Sequence, residues 1–511
     1  MTPAIVRIPL ARNPFDHSAV VRDAHDVARY TGLPATLAQV LRAHVESHPD
    51  TEAIVEVGGE RLTYAQLWDR AARVAGGLYE NGMRYGDRVA IRYPAGVKWV
   101  LAFWGTVLAG GIAVPVNTRS TEPEVRYVLE DADVTVDLAA DSALPDGIAY
   151  LAPARSGGEI AALFYTSGTT GHPKGVPTTH EAFITNAENM VRCSGIPRDE
   201  GAALRTLISV PLFHVTACNS QLVLAAYAGG TAVILPVLDL STLIDVLVTE
   251  RISFLITVPA VYSLLLRHPR FGDADLSAVR TVAYGGAPIA PALVRALKAV
   301  FPQAYLMNGY GMTETAALIT ALPDPDAGAH ADSVGYAVPS VDLGIVPLDD
   351  NPALGELVVR GANVTSGYWN KPEATAAALI EGWLHTGDIV RVDEAGRVHI
   401  VDRIKDIINR GGENVSSVEV EAVLLSAPGV ADAAVLAVPD AVMGEKVGAV
   451  LFGGADAVDI DAVLEHCRKY LADFKIPQFA TVHAEQLPRN AGGKLLKNQL
   501  RGQVRWGEPL R

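Results

Sequence analysis

The chain has 511 residues, with 42 Lys and Arg against 57 Asp and Glu, and a formal net charge of −15. This acidic balance argues against a nucleic-acid-binding protein, because affinity for phosphate backbones needs a clustered positive surface. Hydrophobic residues make up 49% of the chain, which excludes a disordered protein and provides for large buried cores. At about 150 residues per domain, the length suggests roughly three folding units.

The cysteines and the N-terminus indicate a reducing, cytoplasmic setting. Cys193, Cys218 and Cys467 are odd in number, and their spacing fits neither a disulfide framework nor a zinc site. The N-terminus lacks the sustained apolar run of a secretory signal. The uncharged stretch at residues 99–118 is broken by Gly110-Gly111 and Pro115. It therefore predicts a buried helix leading into a buried strand, and no transmembrane anchor.

Helical and strand patterns alternate from about residue 34 to residue 116. Within this region, Thr63 and Gln66 form a capping box that predicts the start of a helix. The alternation returns from Ile160 to about Tyr310, with helices expected near residues 240–250 and 291–300. Short strands interleaved with helices predict mostly parallel sheets covered on both faces. After Asp332, closely spaced strand and turn signals predict a small antiparallel barrel or sheet.

A further unit of helices and strands follows Asp402, with elements expected at residues 418–425, 433–438, 448–452 and 460–471. The predicted fold class is therefore α/β. Residues 1–402 would form a large N-terminal domain of stacked mixed and parallel sheets with helices and a small β-barrel. Residues 403–511 would form a smaller α+β C-terminal domain.

The most informative segment is YTSGTTGHPKGV, residues 165–176, which follows an apolar strand. Its glycines allow close backbone approach to a ligand, four hydroxyls can donate to phosphate oxygens, and Lys174 adds a mobile positive charge. Thr178 and Glu181 read as a capping box that would begin a helix directly after the loop. The pattern is neither a Walker A loop nor a dinucleotide fingerprint. A flexible surface loop is the alternative, and the strand-loop-helix context favours a phosphate loop.

This segment resembles the signature of the adenylate-forming superfamily, which includes acyl-CoA synthetases, nonribosomal-peptide adenylation domains and luciferases. Further matches occur in the family's order, at residues 211–215, 284–288, 310–315, 382–388, 402–406, 411–414 and 488–494. So many ordered matches make chance a negligible explanation. The resemblance implies that ATP reacts at its α-phosphate with a carboxylate, releasing pyrophosphate, and that the acyl group then passes to a thiol.

The resemblance also implies which residues bind the nucleotide. Tyr310 would offer a flat face to adenine, Asp388 and Arg403 would hold the ribose, and Glu314 with Thr166 would hold Mg²⁺ beside the phosphates. The full expected set comprises Thr166, Ser167, Gly168, Thr169, Thr170, Gly171, Lys174, Gly285, Gly286, Ala287, Asn308, Gly309, Tyr310, Gly311, Met312, Thr313, Asp388, Ile400, Arg403, Gly411, Gly412 and Lys494.

The catalytic group implied by the resemblance is Lys494, Thr166, Lys174, Glu314 and His214. Lys494 would act in adenylation only, and a unit charge about 4 Å from a phosphate oxygen is worth roughly 4 kcal/mol at an effective dielectric of 20. His214 would lie at the entrance of the acyl pocket and orient the carboxylate. The alternative for His214 is an ordinary core histidine in an apolar run.

For the second half-reaction, the resemblance implies a mobile C-terminal domain that pivots near Lys405, with Gly411 and Gly412 lining a tunnel for coenzyme A. Ser416-Ser417 departs from the family pattern, because many relatives have an aromatic residue and Pro there. The expected pocket segments, residues 211–226 and 256–266, contain no Arg or Lys, which favours a hydrophobic monocarboxylic acid over a diacid.

The expected function is therefore activation of a fatty or aromatic acid with ATP and Mg²⁺, followed by transfer to coenzyme A. Two alternatives stay open: a paralogue that binds ATP or AMP without turnover, and an acyl-AMP ligase that loads a carrier protein. Luciferase-type chemistry is a rarer specialisation of the same motifs. The sequence leaves the oligomeric state open, and a homodimer is compatible with it.

Overall fold

A computed structural model describes residues 4–153, 156–166, 172–197, 201–348, 352–410, 413–440, 442–454, 457–489 and 495–510. Helices and strands alternate over most of this length, so the predicted α/β class is confirmed. No helix in these described ranges is both long and apolar enough to cross a bilayer.

The strands, in chain order, are β1 Val6–Arg7, β2 Val20–Arg22, β3 Ala28–Tyr30, β4 Glu52–Glu56, β5 Arg61–Thr63, β6 Arg88–Ile91, β7 Ile112–Pro115, β8 Val134–Leu138, β9 Ile160–Thr166, β10 Lys174–Thr179, β11 Arg205–Ile208, β12 Thr231–Ile234, β13 Phe254–Thr257, β14 Thr281–Gly285, β15 Tyr305–Met312, β16 Ala317–Leu322, β17 Tyr336–Ala337, β18 Val341–Pro347, β19 Leu354–Gly361, β20 Leu379–Ile380, β21 Trp383–Val392, β22 Val398–Arg403, β23 Ile408–Arg410, β24 Glu413–Val415, β25 Asp432–Asp440, β26 Gly444–Phe452 and β27 Phe479–Val482.

The α-helices, in chain order, are α1 Leu37–Ser47, α2 Tyr64–Glu80, α3 Val97–Leu108, α4 Glu122–Asp131, α5 His180–Cys193, α6 Val215–Ala217, α7 Leu224–Ala228, α8 Leu240–Thr249, α9 Pro259–Arg267, α10 Pro291–Val300, α11 Asp324–Ala327, α12 Pro372–Ala378, α13 Ser417–Leu425, α14 Ile460–Tyr470 and α15 Lys497–Gln503. A π-helical turn, Cys218–Val223, joins α6 to α7.

The largest sheet has nine strands in the order β17-β16-β15-β14-β13-β11-β12-β4-β5. Its six central strands are parallel, and its outer pairs are antiparallel. Successive residues of a strand face opposite sides, so Leu207 packs in one core and Ile208 in another. The sheet is therefore covered on both faces, as the run of short apolar strands predicts.

A second sheet has the order β10-β9-β7-β6-β8 and is parallel except for β10. The uncharged stretch at residues 99–118 forms most of α3 and the whole of β7, both buried. The capping box at Thr63 and Gln66 is present at the start of α2. The predicted buried helix, the buried strand that follows it and the capping box are therefore confirmed.

The region after Asp332 forms an antiparallel sheet in the order β1-β18-β19-β21-β20, with β22 paired to β21. This curled half-barrel is the small antiparallel element that the sequence predicts. After β22, the strands β23 to β27 form their own sheet beneath α13 and α14, around a separate core that includes Ile408, Val435 and Leu464. The boundary expected at residues 402 and 403 falls at the end of β22, and the mobility of the C-terminal part stays a prediction.

The capping box expected at Thr178 and Glu181 is wrong. The chain first forms β10, which pairs antiparallel with β9, and α5 begins one residue later than expected. Thr179 is the N-cap and its hydroxyl accepts from the backbone N–H of Ala182, whereas the Thr178 hydroxyl is buried with no hydrogen-bond partner in the described chain. Thr179 is still paired with Ile160 of β9 and is extended, so it cannot be the first helical residue that a cap at Thr178 would require, and Thr179 becomes the cap itself.

Two single substitutions should separate these neighbouring threonines. We expect Thr179→Ala to lower the free energy of unfolding by about 1 kcal/mol, because it removes an N-cap. Thr178→Val keeps the β-branched shape and removes a buried hydroxyl without a partner, so stability should be unchanged or slightly higher. Urea denaturation followed by circular dichroism measures both, and a greater loss for Thr178→Val would contradict the assignment.

Candidate active site

The expected phosphate loop joins two antiparallel strands. Thr166 ends β9, Lys174 begins β10, and the two residues are paired across the hairpin. The Thr166 hydroxyl donates to the Lys174 carbonyl oxygen at 3.5 Å. The expected strand-loop-helix arrangement is therefore wrong, because a strand follows the loop. The predicted binding residues Ser167, Gly168, Thr169, Thr170 and Gly171 lie outside the described residues.

The next part of the site lies where β14 and β15 approach closely. Gly285 is paired with Gly309, and a Cβ at Gly285 would lie 2.2 Å from the Gly309 carbonyl oxygen. Gly286 follows with a φ of 74°, a left-handed conformation that favours glycine. Asn308 is buried, and its side-chain amide donates to the Ser333 carbonyl at 3.0 Å. These glycines bring the backbones of neighbouring strands together, whereas contacts of Gly285, Gly286 and Ala287 with adenine stay predictions.

Tyr310, Asp388 and Arg403 meet, as the family resemblance implies. The Tyr310 hydroxyl donates to Asp388 at 2.5 Å, and Arg403 contacts the other carboxylate oxygen at 3.0 Å. Asp388 and Arg403 are paired residues of β21 and β22, and Ile400 pairs with Val390 in the same ladder. Burial, and then the charge of Asp388, raise the pKa of Tyr310 well above its usual value, so the phenol keeps its proton.

A tight turn follows β15 and carries the expected metal ligand. Gly311 and Met312 end the strand, Thr313, Glu314 and Thr315 form a 3₁₀ turn, and the chain reverses into β16. A Cβ at Gly311 would lie 1.4 Å from the Ala317 carbonyl oxygen, so only glycine fits there.

The backbone is strained where the chain turns from β15 into β16. Ala316 and Ala317 adopt φ values of 52° and 116°, and neither is glycine. The side-chain amides of Asn219 and Asn363 donate to the carbonyls of Ala316 and Thr315, at 3.0 and 2.9 Å. These contacts fix the direction in which Glu314 projects.

Tyr368 joins the two charged groups of the site. Its hydroxyl donates to Glu314 Oε1 at 2.9 Å, and its ring lies under the Lys174 ammonium, with 4.1 Å from Nζ to the ring centroid. Burial, and then the charge of Glu314, raise the pKa of Tyr368, which therefore stays a donor at neutral pH. The sequence analysis does not identify Tyr368. The signal that could have found it is the Gly-Tyr-Trp-Asn-Lys-Pro run at residues 367–372.

A second cluster that the sequence analysis does not identify supports the ends of the phosphate loop. The buried carboxylate of Asp131 accepts from the hydroxyl of Tyr165 at 2.8 Å and pairs with Lys371 at 2.5 Å. The ring of His172 stacks on Tyr127, with centroids 4.4 Å apart, and Tyr127 also donates to Asp131. Residues directly before and after the loop are therefore anchored to α4.

His214 is the N-cap residue of α6, and its ring packs against Phe213, with centroids 4.6 Å apart. Burial lowers its pKa to about 4, so the imidazole is neutral at neutral pH. Its buried Nε2 has no hydrogen-bond partner in the part of the chain that the structure describes. A neutral ring with a free nitrogen can orient a polar group, and a role at the acyl pocket stays a prediction.

Comparison with known proteins agrees with this arrangement. The sequence model described as AMP-binding enzyme matches residues 41–152 and 137–369, and that of the AMP-binding enzyme C-terminal domain matches residues 419–494. The chain belongs to the AMP-binding enzyme family.

The relatives named in these comparisons span nearly the whole chain. Feruloyl-CoA synthase of Amycolatopsis sp is 36% identical over 492 residues, which cover 90% of this chain and 97% of that protein. The long-chain-fatty-acid–CoA ligase FadD13 of Mycobacterium tuberculosis is 33% identical over 502 residues, which cover 92% of this chain and 96% of that protein.

A solved structure of o-succinylbenzoate CoA synthetase, MenE, from Bacillus subtilis holds the acyl-adenylate intermediate OSB-AMP. It matches with a TM-score of 0.82 and 29% identity, over 92% of this chain and 99% of that chain. The resemblance to adenylate-forming acyl-CoA synthetases that the motifs indicate is confirmed.

The segment where the family's C-terminal domain begins shows how Ser416 and Ser417 are used. Ser416 is the N-cap of α13, and its hydroxyl donates to the Val401 carbonyl at 2.7 Å. The buried carboxylate of Asp402 accepts from both the backbone N–H and the hydroxyl of Ser417. Two serines thus provide contacts where many relatives have an aromatic residue and Pro. The predicted residues Gly411, Gly412 and Lys494 lie outside the described residues.

The close approach of β14 and β15 yields a test with a matched control. We expect Gly285→Ala to lower the free energy of unfolding by about 1–3 kcal/mol, because its Cβ would strike the Gly309 backbone. Gly309→Ala should cost less, because its Cβ would meet the movable end of Leu318 at 3.0 Å. Chemical denaturation measures both, and equal losses would contradict the backbone contact as the cause.

Proposed function

We propose that this protein is an ATP-dependent acid–thiol ligase that activates a hydrophobic monocarboxylic acid as an acyl-adenylate and transfers the acyl group to coenzyme A. The observation that carries the proposal is that Lys174 and Glu314 both contact the side chain of Tyr368. This places one cation and one carboxylate, from distant segments, at a common centre. Such a pair suits phosphoryl chemistry, which depends on positioning and on offsetting negative charge.

The roles of the nucleotide-binding residues follow from their contacts. Asp388 is oriented by Tyr310 and Arg403, and its carboxylate can accept hydrogen bonds from ribose hydroxyls. Lys174 can swing from the Tyr368 ring to a phosphate oxygen, and the hydroxyls of Thr166 and Thr313 can donate to phosphate. Lys494 is proposed to supply a further positive charge during adenylation.

Mg²⁺ fits the donors that are present. Among the described residues no group of three or more His, Cys, Asp or Glu side chains could hold a metal ion, so an all-protein cage is not found there. Mg²⁺ in nucleotide sites instead takes one or two carboxylates together with phosphate oxygens and water. Glu314 would hold the ion, with Thr166 nearby, and the bound ion would supply charge neutralisation at the phosphates.

The acid is proposed to bind between α6, the following π-helical turn and the segment from β13 to α9. Residues 211–226 and 256–266 contain no Arg or Lys, and Cys218, Leu222 and Val223 are buried among apolar neighbours. A second carboxylate would have no cation there, and burying it unpaired would be costly. The names of the relatives, a feruloyl-CoA synthase and a long-chain-fatty-acid–CoA ligase, support aromatic or aliphatic monocarboxylates.

Coenzyme A is the proposed acceptor, because the relatives are CoA ligases over nearly their full length. The C-terminal domain is proposed to pivot near Lys405 between the two half-reactions, with Gly411 and Gly412 near the incoming thiol. The three cysteines are buried and free of disulfides. We propose a cytoplasmic location on the basis of these free thiols, and a homodimer stays a prediction.

The direct test is exchange of labelled pyrophosphate into ATP across a panel of fatty and aromatic acids. We expect exchange that depends on a hydrophobic monocarboxylate and Mg²⁺, and mass spectrometry should detect the matching CoA thioester. Well-folded protein that binds ATP but exchanges no pyrophosphate with any acid would contradict the proposal.

The variant Lys494→Ala tests the role of this lysine in the first half-reaction. We expect it to slow adenylation on the order of 10²-fold, the cost of removing one strong donor from a transition state. Thioester formation from pre-made acyl-adenylate should survive. An equal fall in both steps would contradict a role for Lys494 in adenylation alone.

For His214 we expect His214→Ala to change the KM and selectivity for the acid, with the KM for ATP unchanged, because the ring lies beside the proposed acyl pocket. Because its pKa is about 4, no kinetic step between pH 6 and 8 should report titration of this ring. Steady-state kinetics across the acid panel at several pH values measures both effects. Kinetics identical to those of the unmodified enzyme for every acid would assign His214 to core packing.

A further inference from the structure

Among the contacts that the structure describes, Tyr368 is the one side chain that touches both Lys174 and Glu314, the two charged groups of the proposed phosphate site. Its hydroxyl donates to Glu314 at 2.9 Å, and the Lys174 ammonium lies 4.1 Å from its ring centroid. Tyr368 therefore contacts the ammonium through the face of its ring and the carboxylate through its hydroxyl. A direct ion pair would occupy the charges that an incoming triphosphate and its metal ion need.

The backbone around Tyr368 is fixed on two sides. Its N–H donates to the Thr375 hydroxyl of α12 at 2.9 Å, and the next N–H, of Trp369, donates to the Gly175 carbonyl of β10 at 2.8 Å. Gly367 precedes it with a φ of 146° and leaves no room for a Cβ beside Thr375. The phenol is therefore held against the first residues of β10 by bonds independent of any ligand.

The Glu314 end is tied to the same segment. The Thr365 N–H donates to the Glu314 carbonyl at 2.8 Å, so the backbone and the side chain of Glu314 are both held by residues 365–368. A carboxylate that must bind a metal ion loses less rotational freedom when a hydroxyl already orients it. A lysine resting on an aromatic face is likewise ordered, yet held weakly enough to leave for a phosphate oxygen.

We propose that Tyr368 is a positioning residue for the ATP phosphates, which aligns Glu314 for the metal ion through its hydroxyl and aligns Lys174 for the triphosphate through its ring. This inference rests on the proposed function and adds a residue that the motifs do not identify.

The two contacts can be separated by substitution. Tyr368→Phe removes the hydroxyl and keeps the ring, so only the metal-dependent part of ATP binding should weaken. Tyr368→Leu removes both contacts and should also weaken ATP binding without metal. Tyr336→Phe is the matched control, because it removes another hydroxyl that donates to a carboxylate, Asp326, at 2.7 Å.

Calorimetric titration of each full-length variant with ATP, in EDTA and in Mg²⁺ without any acid, gives a readout independent of turnover. For Tyr368→Phe we expect an unchanged Kd in EDTA and a Kd in Mg²⁺ raised about tenfold, the usual cost of losing a partner of a metal ligand. For Tyr368→Leu we expect the Kd in EDTA to rise several-fold as well. Unchanged metal dependence in Tyr368→Phe would overturn the proposal.

A double-mutant cycle with Glu314→Gln tests whether the Tyr368 hydroxyl acts through that carboxylate. If the hydroxyl acts through Glu314, adding Tyr368→Phe to Glu314→Gln should cause no further loss of Mg²⁺ dependence. Additive losses would overturn the proposal. Pyrophosphate exchange by the unmodified enzyme separates the proposed ligase function from the proposed role of Tyr368. No exchange would contradict the ligase function. Normal exchange, together with Tyr368 variants whose ATP binding is unchanged, would contradict only the role of Tyr368.

Discussion

The hydrogen bonds made by residues 363–371 hold three separately built parts of the site at one place. Asn363 bonds the turn after β15, Trp369 bonds the start of β10, and Lys371 pairs with Asp131 at the end of α4. These partners belong to two different sheets, so neither sheet alone could set their spacing. The ends of the expected phosphate loop, the turn that carries the proposed metal ligand Glu314 and the helix α4 are therefore all bonded to one irregular segment.

Glu314 and Lys174 are each held by an uncharged partner in the described contacts, so neither is neutralised by an ion pair there. Glu314 accepts from a phenol, which carries no charge, and Lys174 rests on an aromatic face. Asp388 differs, because it contacts both Tyr310 and Arg403 and is almost fully buried. This difference fits the proposed roles, because a carboxylate that binds neutral ribose hydroxyls would gain from a fixed orientation, whereas groups that bind a metal ion or a phosphate would need to exchange partners.

The sequence predicts those features that depend on short-range pattern. Apolar runs of four to eight residues locate the strands, and the position of β7 after α3 follows from the breaks at Gly110 and Pro115. The Thr178 capping box fails because local spacing cannot show that β10 pairs with β9 and keeps Thr179 extended. Tyr310, Asp388 and Arg403 were expected together because each lies in a recognisable motif.

Tyr368 lies in the Gly-Tyr-Trp-Asn-Lys-Pro run, but neither this run nor the sequence around Asp131 indicates which residues the two side chains contact. Tyr368 lies 54 residues from Glu314, and Lys371 lies 240 residues from Asp131. Contacts at these separations are created by the order of strands in the sheets, which periodicity does not reveal. A Tyr after a Gly in a short turn is compatible with packing, and an Asp near the end of a helix is compatible with solvent exposure. Only the fold shows that both are bonded beneath the site.

The pivot proposed at Lys405 would break some of the contacts around it and keep others. The contacts that connect residues before the pivot with residues after it include those of Ser416 with Val401 and of Ser417 with Asp402. By contrast, Arg501 pairs with Asp406 at 2.7 Å, and both residues lie after the pivot. A rotation about Lys405 would leave the second pair intact and would remove both Ser417 donors from Asp402, a buried carboxylate, which would keep only the donor N–H of Arg403 among the described contacts. Because a buried carboxylate that loses donors is costly, a rotated state would need new donors for Asp402 or would expose it to water. If the C-terminal domain rotates as proposed, the energy of this one buried charge would depend on the position of the domain.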